Sequence, residues 1–513
     1  MGRTLRELVR ATPGARLVLG RPEQSVAALT HDSRRVVPGA LFVSLPGRRH
    51  PADAFVPMAL ERGAVAVVSE TPTPHPAVPA WIAVPHARRA LADLAAAWHD
   101  YPSERLRVVG VTGTDGKTTT TRLIAGLLQA GGRRAGWYTT ADLDLGDGVV
   151  PNEEYHTTPE ADRVQEVLAA MVAAGLDYGV LEASSHALAQ ERLHRCAIDI
   201  AVFTNLSPEH LDYHGSLEAY LAAKARLFAM AGRDTRPEPL RAGARAPHKQ
   251  APYVVLNADD PACEALRAVA RVPARTYSLG GAADVVGHDL VETPEGLRLR
   301  VVTAAGEWEL ATRFLGRFNA ANWLAAITVA LAEGVPMSTI QQAARTLRPP
   351  PGRLERVDCG QPFAVFVDFA HTPQALAAAL RAVRAVARGR VLLAFGQASG
   401  RMAENRPAMG RAAAELADYF VITSDDAPPD EARAISEDIA RGARAAGATA
   451  ARFCIEIDRR AALRHLLAAA RPGDVVLLAG KGHERTLKLG ARVEPWGEVE
   501  VARRLLRELG YGG

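Results

Sequence analysis

The sequence predicts an α/β chain of three domains: a small α/β N-terminal domain, a central domain on a mostly parallel sheet, and a C-terminal Rossmann-like domain. Three observations carry this. At 513 residues the chain exceeds one ordinary hydrophobic core. Short apolar runs alternate with Ala-rich helical stretches, which implies parallel sheets flanked by helices. Prolines punctuate the chain at Tyr101-Pro102 and Pro349-Pro350-Pro351, which sets the domains at 1–102, 103–347 and 348–513.

In the first domain ALFVSLPG (40–47) and AVAVVSE (64–70) read as strands, 87–98 as a helix, and HDSRRVVPGA (31–40) as a polar loop before the first strand. The second domain opens on LRVVGV (106–111), a buried strand by its unbroken apolar run. YGVLE (178–182) and DIAVFTN (199–205) repeat that pattern, and the Pro-, Arg- and Gly-rich segment 231–252 reads as an exposed loop. In the third domain FAVFVDFA (363–370), RVLLAFG (390–396), DYFVITS (418–424) and DVVLLAG (474–480) are strands of an open sheet. Ligands of such sheets sit at the carboxyl ends of the strands.

Composition narrows the function classes. Hydrophobic residues at 48% and charged residues at 23% fit a folded globular chain rather than a disordered one. A formal net charge of +4 gives no bulk argument for nucleic acid. Cys196, Cys263, Cys359 and Cys454 form no CxxC pair, which points away from a zinc site or a disulfide framework and toward a reducing cytosol. The start MGRTLRELVRATPG carries no signal-like apolar block, and no stretch approaches the roughly 20 apolar residues of a membrane span. The expectation is a cytoplasmic monomer without membrane or nucleic-acid partners.

The sharpest motif is GVTGTDGKTTTT (110–121), between a buried strand and an Ala/Leu-rich helix. Such a turn aims backbone N–H groups and the helix dipole at phosphate. Gly113 and Gly116 permit close approach, Lys117 would reach the β/γ-phosphates, and Thr118 would offer a hydroxyl to Mg²⁺. Thr114, Asp115 and Thr119 complete this ATP-binding loop. The spacing departs from GxxxxGK[ST], because Val111 stands where the first Gly belongs.

Two further features stand nearby. In SLEAYLAAKARLF (216–228), Lys224 falls on the apolar face set by Leu217, Tyr220, Leu221, Leu227 and Phe228. Such a lysine either snorkels past the helix edge, pairs, loses its charge, or is modified. A carbamate made with CO₂ would turn it into an anion able to bind Mg²⁺. Glu182 closes the strand YGVLE, and His210 follows the strand ending near Thr204. A carboxylate and an imidazole beside a phosphate loop suit a second metal ion that bridges phosphate and acceptor, although single residues of this kind are as often caps or surface groups.

Taken together, these segments resemble the Mur ligases, and most closely the MurE type. The resemblance spans essentially the whole chain through HDSRRVVPGALFVSLPG, GVTGTDGKTTTT, HTTPEADRVQ, LEASSHAL, NLSPEHLDYHGSLEAYLAAKARLF, GRFNAANWLAAI, GRLERV, VDFAHTPQAL and LLAGKGHE. It implies an N-terminal domain for the uridine nucleotide, a central P-loop ATPase and a mobile C-terminal domain for the amino acid. It further implies Glu182 and His210 as metal ligands, Lys224 as a carbamylated lysine, and Asn319, Asn322, Arg353 and Asp368 as nucleotide-site residues. Lys117, Lys224, Glu182 and His210 are thereby the catalytic set. Ser33, His156, Thr157, Thr158, Ser184, Gln190 and Arg192 match positions that bind the UDP-N-acetylmuramoyl dipeptide. The chemistry implied is ATP-dependent formation of an acyl phosphate with Mg²⁺, followed by attack of a free amino acid.

The chain departs from the family in three places. Asp115 replaces the usual Asn of the phosphate loop. GQASGRMAENRPAMG (396–410) keeps Arg401, Arg406 and Pro407 but lacks the usual Gly-Gly-Asp-Arg-Asp run. Asp425-Asp426-Ala427-Pro428 stands where Asp-Asn-Pro-Arg is usual, and Pro428 replaces the arginine that pairs with the distal carboxylate of meso-diaminopimelate. Arg401 remains for the α-carboxylate, and Gly480 and Glu484 for the other end. With Asp425 and Asp426, Glu484 would favour a side chain ending in an amine, so the expected substrate is L-lysine or L-ornithine. The competing readings are a paralogue acting on another carboxylate (folate or poly-amino-acid type), a P-loop motor or switch ATPase, and an inactive binding module.

Overall fold

The computed structural model describes residues 2–47, 51–154, 156–235 and 249–512. Most of the loop expected at 231–252 therefore lies outside the described residues. The chain divides into two compact units, Met1–Lys117 with Gly132–Arg275, and Thr118–Gly131 with Thr276–Gly513.

The first unit holds two larger sheets besides a two-stranded pair, Arg3–Thr4 with Ser25–Val26. The N-terminal one contains β1 (Arg16–Leu19), β2 (Ala28–Thr30), β3 (Ala40–Val43), β4 (Ala66–Ser69) and β5 (Trp81–Ala83), in the order β1-β5-β4-β3-β2. All neighbours are parallel except β1 against β5. The interior strands β3, β4 and β5 are buried throughout, as strands covered on both faces must be. Helix α1 (Ala87–Trp98) closes one face through Ala87, Ala90, Leu91 and Leu94. The polar loop expected at 31–40 contains a short 3₁₀ turn, Ser33–Arg35, capped by the Asp32 carboxylate.

The second sheet of this unit contains β6 (Arg107–Thr112), β7 (Ala135–Tyr138), β8 (Asp142–Asp144), β9 (Val149–Pro151), β10 (Tyr178–Glu182), β11 (Ile198–Phe203) and β12 (Tyr253–Asn257). Their order is β9-β8-β7-β10-β6-β11-β12. From β7 to β12 the neighbours are parallel, and β8 and β9 add an antiparallel hairpin at one edge. Every residue of β6 is buried. Because β6 is flanked by β10 and β11, their carboxyl ends deliver Glu182, Thr204 and the phosphate loop to one edge: Glu182 pairs with Val111, and Phe203 with Thr112.

In the second unit, β13 (Val285–Thr293), β14 (Gly296–Thr303) and β15 (Gly306–Thr312) form antiparallel hairpins, a segment to which the sequence reading assigns no strands. Leu297, Leu299 and Val301 point inward at alternate positions. Helix α2 (Arg317–Ala332) follows and is buried nearly all round.

The C-terminal sheet contains β16 (Glu355–Val357), β17 (Ala364–Asp368), β18 (Val391–Phe395), β19 (Tyr419–Ile422), β20 (Phe453–Ile455) and β21 (Val475–Ala479), in the order β16-β17-β21-β18-β19-β20. All are parallel except β16. Helices α3 (Pro373–Val386), α4 (Asn405–Leu416) and α5 (Pro429–Ala445) pack on one apolar cluster, and α6 (Arg459–Ala469) on another. The sheet is thus covered on both faces, which is the Rossmann-like arrangement expected from the four apolar runs.

Candidate active site

The phosphate loop leaves β6 at Thr112 and enters a helix, Lys117–Ala130. Gly113 has φ +154°, and a Cβ there would lie 1.8 Å from the Thr204 hydroxyl, so only glycine fits. Gly116 (φ +83°) makes the second turn. The loop is fastened to the end of β11: Thr114 N–H donates to the Asn205 carbonyl at 2.8 Å, and Asp115 N–H to the Asn205 side chain at 3.0 Å. Lys117 Nζ donates to the carbonyls of Gly113 (3.0 Å) and Thr114 (2.7 Å).

Lys224 does not snorkel. Its side chain is 1% exposed, and its Nζ donates to the Gly113 carbonyl at 2.7 Å and lies 4.1 Å from the centre of the Tyr220 ring. Burial holds its pKa well below the usual ammonium range, and repulsion from Lys117 adds to this against the pull of Glu209 and Asp115. His210 sits nearby at φ +56°, its ring edge-on to His186 at 4.6 Å and to Tyr220 at 6.3 Å. Burial lowers the His210 pKa and outweighs the nearby Glu209, so its imidazole is held toward the neutral form a metal needs.

Glu182, 1% exposed, faces another neighbour set. Its carboxylate accepts from Thr140 N–H (3.0 Å) and the Thr140 hydroxyl (3.2 Å). Among the described residues no group of three or more His, Cys, Asp or Glu side chains forms a metal site. A cation here would need further donors, such as a threonine hydroxyl or a modified lysine.

Five of the seven residues expected to hold the dipeptide substrate form one hydrogen-bonded cluster beside Glu182. The Thr158 hydroxyl donates to the Glu182 carbonyl (2.7 Å) and accepts from Ser184 N–H (3.1 Å), and the Thr157 hydroxyl lies 3.0 Å from that of Thr140. Arg192 donates to the Thr158 carbonyl (2.6 Å) and to Gln190 (2.9 Å), and pairs with Glu160 at 2.9 Å. Arg88, which the sequence reading passed over, also reaches Gln190 and Glu160, both at 3.4 Å. Its only sequence signal is a position at the start of an amphipathic helix. Ser33 is buried against Met58 and His156 is exposed; neither hydrogen-bonds to this cluster.

In the second unit the expected nucleotide residues stand around the helix segment Thr118–Gly131. Asn322 donates to Asn319 (3.0 Å) and accepts from the Thr120 hydroxyl (3.2 Å), while Arg353 donates to the Thr118 hydroxyl at 3.3 Å. Asp368 accepts from the N–H groups of Leu354 (2.7 Å) and Ala370 (2.8 Å), which anchors the loop that carries Arg353.

The loops expected to take the amino acid hold a further charged group. Asp425, Asp426 and Glu484 do converge, but around a lysine of the chain itself. Lys481 Nζ, with a fully buried side chain, lies 2.7 Å from Asp426, 2.6 Å from Glu484 and 3.7 Å from Asp425. Burial alone would lower the Lys481 pKa, yet the three carboxylates raise it, while burial raises that of Glu484. The site thus carries three carboxylates against one built-in ammonium, not three open acceptors. Lys481 was in view within LLAGKGHE, but its side-chain direction depends on a turn that spacing does not reveal. Asp426 has φ +39°, which Asp and Asn tolerate better than other side chains. Arg401 lies two residues beyond Ser399, whose N–H donates to the Asp426 carbonyl at 3.1 Å.

Comparison with known proteins gives the family. Residues 111–330 match the model of the Mur ligase middle domain, and 352–482 that of the Mur ligase glutamate ligase domain. A UDP-N-acetylmuramyl-tripeptide synthetase of Roseiflexus sp. (strain RS-1) is 46% identical over 494 residues, covering 95% of this chain and 96% of that protein. A UDP-N-acetylmuramoyl-L-alanyl-D-glutamate–2,6-diaminopimelate ligase of Geobacillus thermodenitrificans is 39% identical, with 95% and 96% covered. A solved structure of a ligase of that same name superposes with a TM-score of 0.66 at 30% identity, covering 100% of both chains. The chain belongs to the Mur ligase family, in its MurE type, and is an ATP-dependent ligase.

Proposed function

We propose that this chain adds the third amino acid to UDP-N-acetylmuramoyl-L-alanyl-D-glutamate in peptidoglycan precursor synthesis. The observation that carries the reading is the phosphate loop with Lys117 and the buried Lys224 converging on the Gly113 carbonyl. In the first step a carboxylate oxygen of the dipeptide attacks the γ-phosphorus of ATP, giving an acyl phosphate and ADP. In the second the amine of the incoming amino acid attacks the acyl carbon, expels phosphate and loses a proton. Lys117 would offset charge on the transferring phosphoryl group. Thr118 would offer its hydroxyl to one Mg²⁺, and Glu182, His210 and a carbamylated Lys224 would hold a second; magnesium when bound neutralises phosphate charge. Thr157, Thr158, Ser184, Gln190 and Arg192, with Ser33 and His156, would bind the UDP substrate.

For the third amino acid the reading is L-lysine or L-ornithine. Pro428 offers no donor for a distal carboxylate, and Asp425, Asp426 and Glu484 outnumber Lys481 three to one. Two unit charges about 4 Å apart at an effective dielectric near 20 interact by about 4 kcal/mol, enough to decide between an ammonium and a carboxylate. The Geobacillus relative is named for 2,6-diaminopimelate, whereas the name of the Roseiflexus relative specifies no third residue. The test is phosphate release by the purified protein with ATP, Mg²⁺, the UDP-dipeptide and a panel of lysine, ornithine, meso-diaminopimelate and alanine. Turnover with lysine or ornithine at the highest kcat/KM is expected. Preference for diaminopimelate would overturn the amino-acid assignment, and no turnover on the UDP-dipeptide would overturn the function.

A further inference from the structure

Arg459 opens helix α6 and is fully buried, as is its partner Glu498. Its Nε lies 3.1 Å from both Glu498 oxygens, and its Nη2 2.5 Å from one of them. The remaining donors go elsewhere: Nη1 to the Ser424 carbonyl at 3.1 Å and Nη2 to the Ala479 carbonyl at 2.9 Å. Glu498 is itself oriented by the Trp496 indole N–H at 2.6 Å.

Those two carbonyls belong to the loops that carry the amino-acid candidates. Ser424 precedes Asp425 and Asp426, and Ala479 precedes Gly480, Lys481 and Glu484. Strands β19 and β21 are not neighbours, because β18 lies between them. Strand pairing therefore cannot set one loop against the other. A planar guanidinium with donors on three sides can. Lys481 adds a second buried tie across the same gap, from Asp426 in one loop to Glu484 in the other. Burying an ion pair is costly, and apolar side chains of similar volume often stabilise a core as well, so stability alone does not account for this arrangement.

We propose that Arg459 is a positioning residue for amino-acid recognition: it locks the loop after β19 to the loop after β21, so that Asp425, Asp426, Gly480 and Glu484 form one preassembled site. The proposal rests on the assignment of these loops to the amino acid. Its consequence is selective. Loosening the clamp weakens recognition of the incoming amine and leaves ATP binding as it was.

The test uses the full chain in two forms. Arg459→Lys keeps the charge but replaces the fork by a point donor. Arg459→Met combined with Glu498→Gln removes both buried charges together, so that no unpaired carboxylate is left to unfold the domain. Steady-state KM is measured for the amino acid and for ATP, and amide hydrogen exchange is followed in 423–428 and 479–484. In both forms the amino-acid KM is expected to rise at least tenfold and the ATP KM to stay within twofold. Both loops should exchange faster together while α3 keeps its protection. An unchanged amino-acid KM, a parallel rise in both KM values, or unaltered exchange in the two loops would overturn the proposal. If wild-type protein turns over with no amino acid, the assignment of function fails instead, and hydrogen exchange still decides the role of Arg459.

Discussion

Lys224 and Gly113 meet through a single hydrogen bond, Nζ to carbonyl oxygen at 2.7 Å, which ties a buried amine to the first turn of the phosphate loop. Burial, and Lys117 beside it, hold this amine well below its usual pKa and so favour its neutral form, which is the form that reacts with CO₂. Activity is therefore expected to fall in CO₂-depleted buffer and to return with bicarbonate. Lys224→Ala is expected to be nearly inactive and partly rescued by short carboxylates. A ¹³C carbamate signal from labelled bicarbonate reports the modification directly, and full activity without CO₂ would show that the lysine works unmodified.

Lys117→Ala is expected to reduce turnover by orders of magnitude with little change in thermal stability, because the lysine contacts loop carbonyls rather than core. Gly113→Ala should fail as well, and with a loss of stability, since the new Cβ would overlap the Thr204 hydroxyl. Near-normal turnover in a folded Lys117→Ala protein would remove the phosphate-loop assignment.

The pair His31–Asp162, 2.7 Å apart, makes stability depend on pH in a calculable direction. Burial alone would lower the His31 pKa, but the bond to Asp162 more than offsets it and leaves it above the ordinary 6.5. For Asp162 burial works upward, and the bond to His31 brings the value below the ordinary 3.8. The His31 contribution is complete below about pH 6.5 and is lost as pH rises through its raised folded value. The Asp162 contribution is complete above its unfolded value and is lost as pH falls through its lowered one. Urea unfolding from pH 5 to 9 should therefore show a decline that His31→Gln abolishes. An identical slope in both proteins would assign that decline to other groups.

Helices α4 and α5 approach through two glycines. A Cβ at Gly410 would lie 1.9 Å from the Ile439 carbonyl, and one at Gly442 2.0 Å from the Pro407 carbonyl. Both obstacles are backbone, which cannot rotate away. Gly410→Ala is expected to destabilise the chain by about 1–3 kcal/mol, the range for forced overpacking, even though alanine is the better helix former. Chemical denaturation would read this, and a stabilised variant would show that the helices separate freely.

The sequence by itself determined what is local and periodic. The apolar runs at 106–111, 178–182, 363–370 and 474–480 became buried parallel strands because an unbroken apolar run is stable only where both faces are covered. The phosphate loop was legible because glycine spacing, strand and helix are all encoded within twelve residues, and Lys224 betrayed itself by charge on an apolar face. Tertiary structure alone decided which way that lysine points, and that Arg353 reaches Thr118. It also decided that Lys481 occupies the ring of Asp425, Asp426 and Glu484, and that Arg459 ties Ser424 to Ala479. The hairpins of 285–312 went unread because residues inside them, such as His288 and Asp289, break the alternation. Each of these contacts joins residues far apart in the chain through side-chain directions set by packing. Composition and spacing report which groups are present, but not which charged group the fold places opposite which.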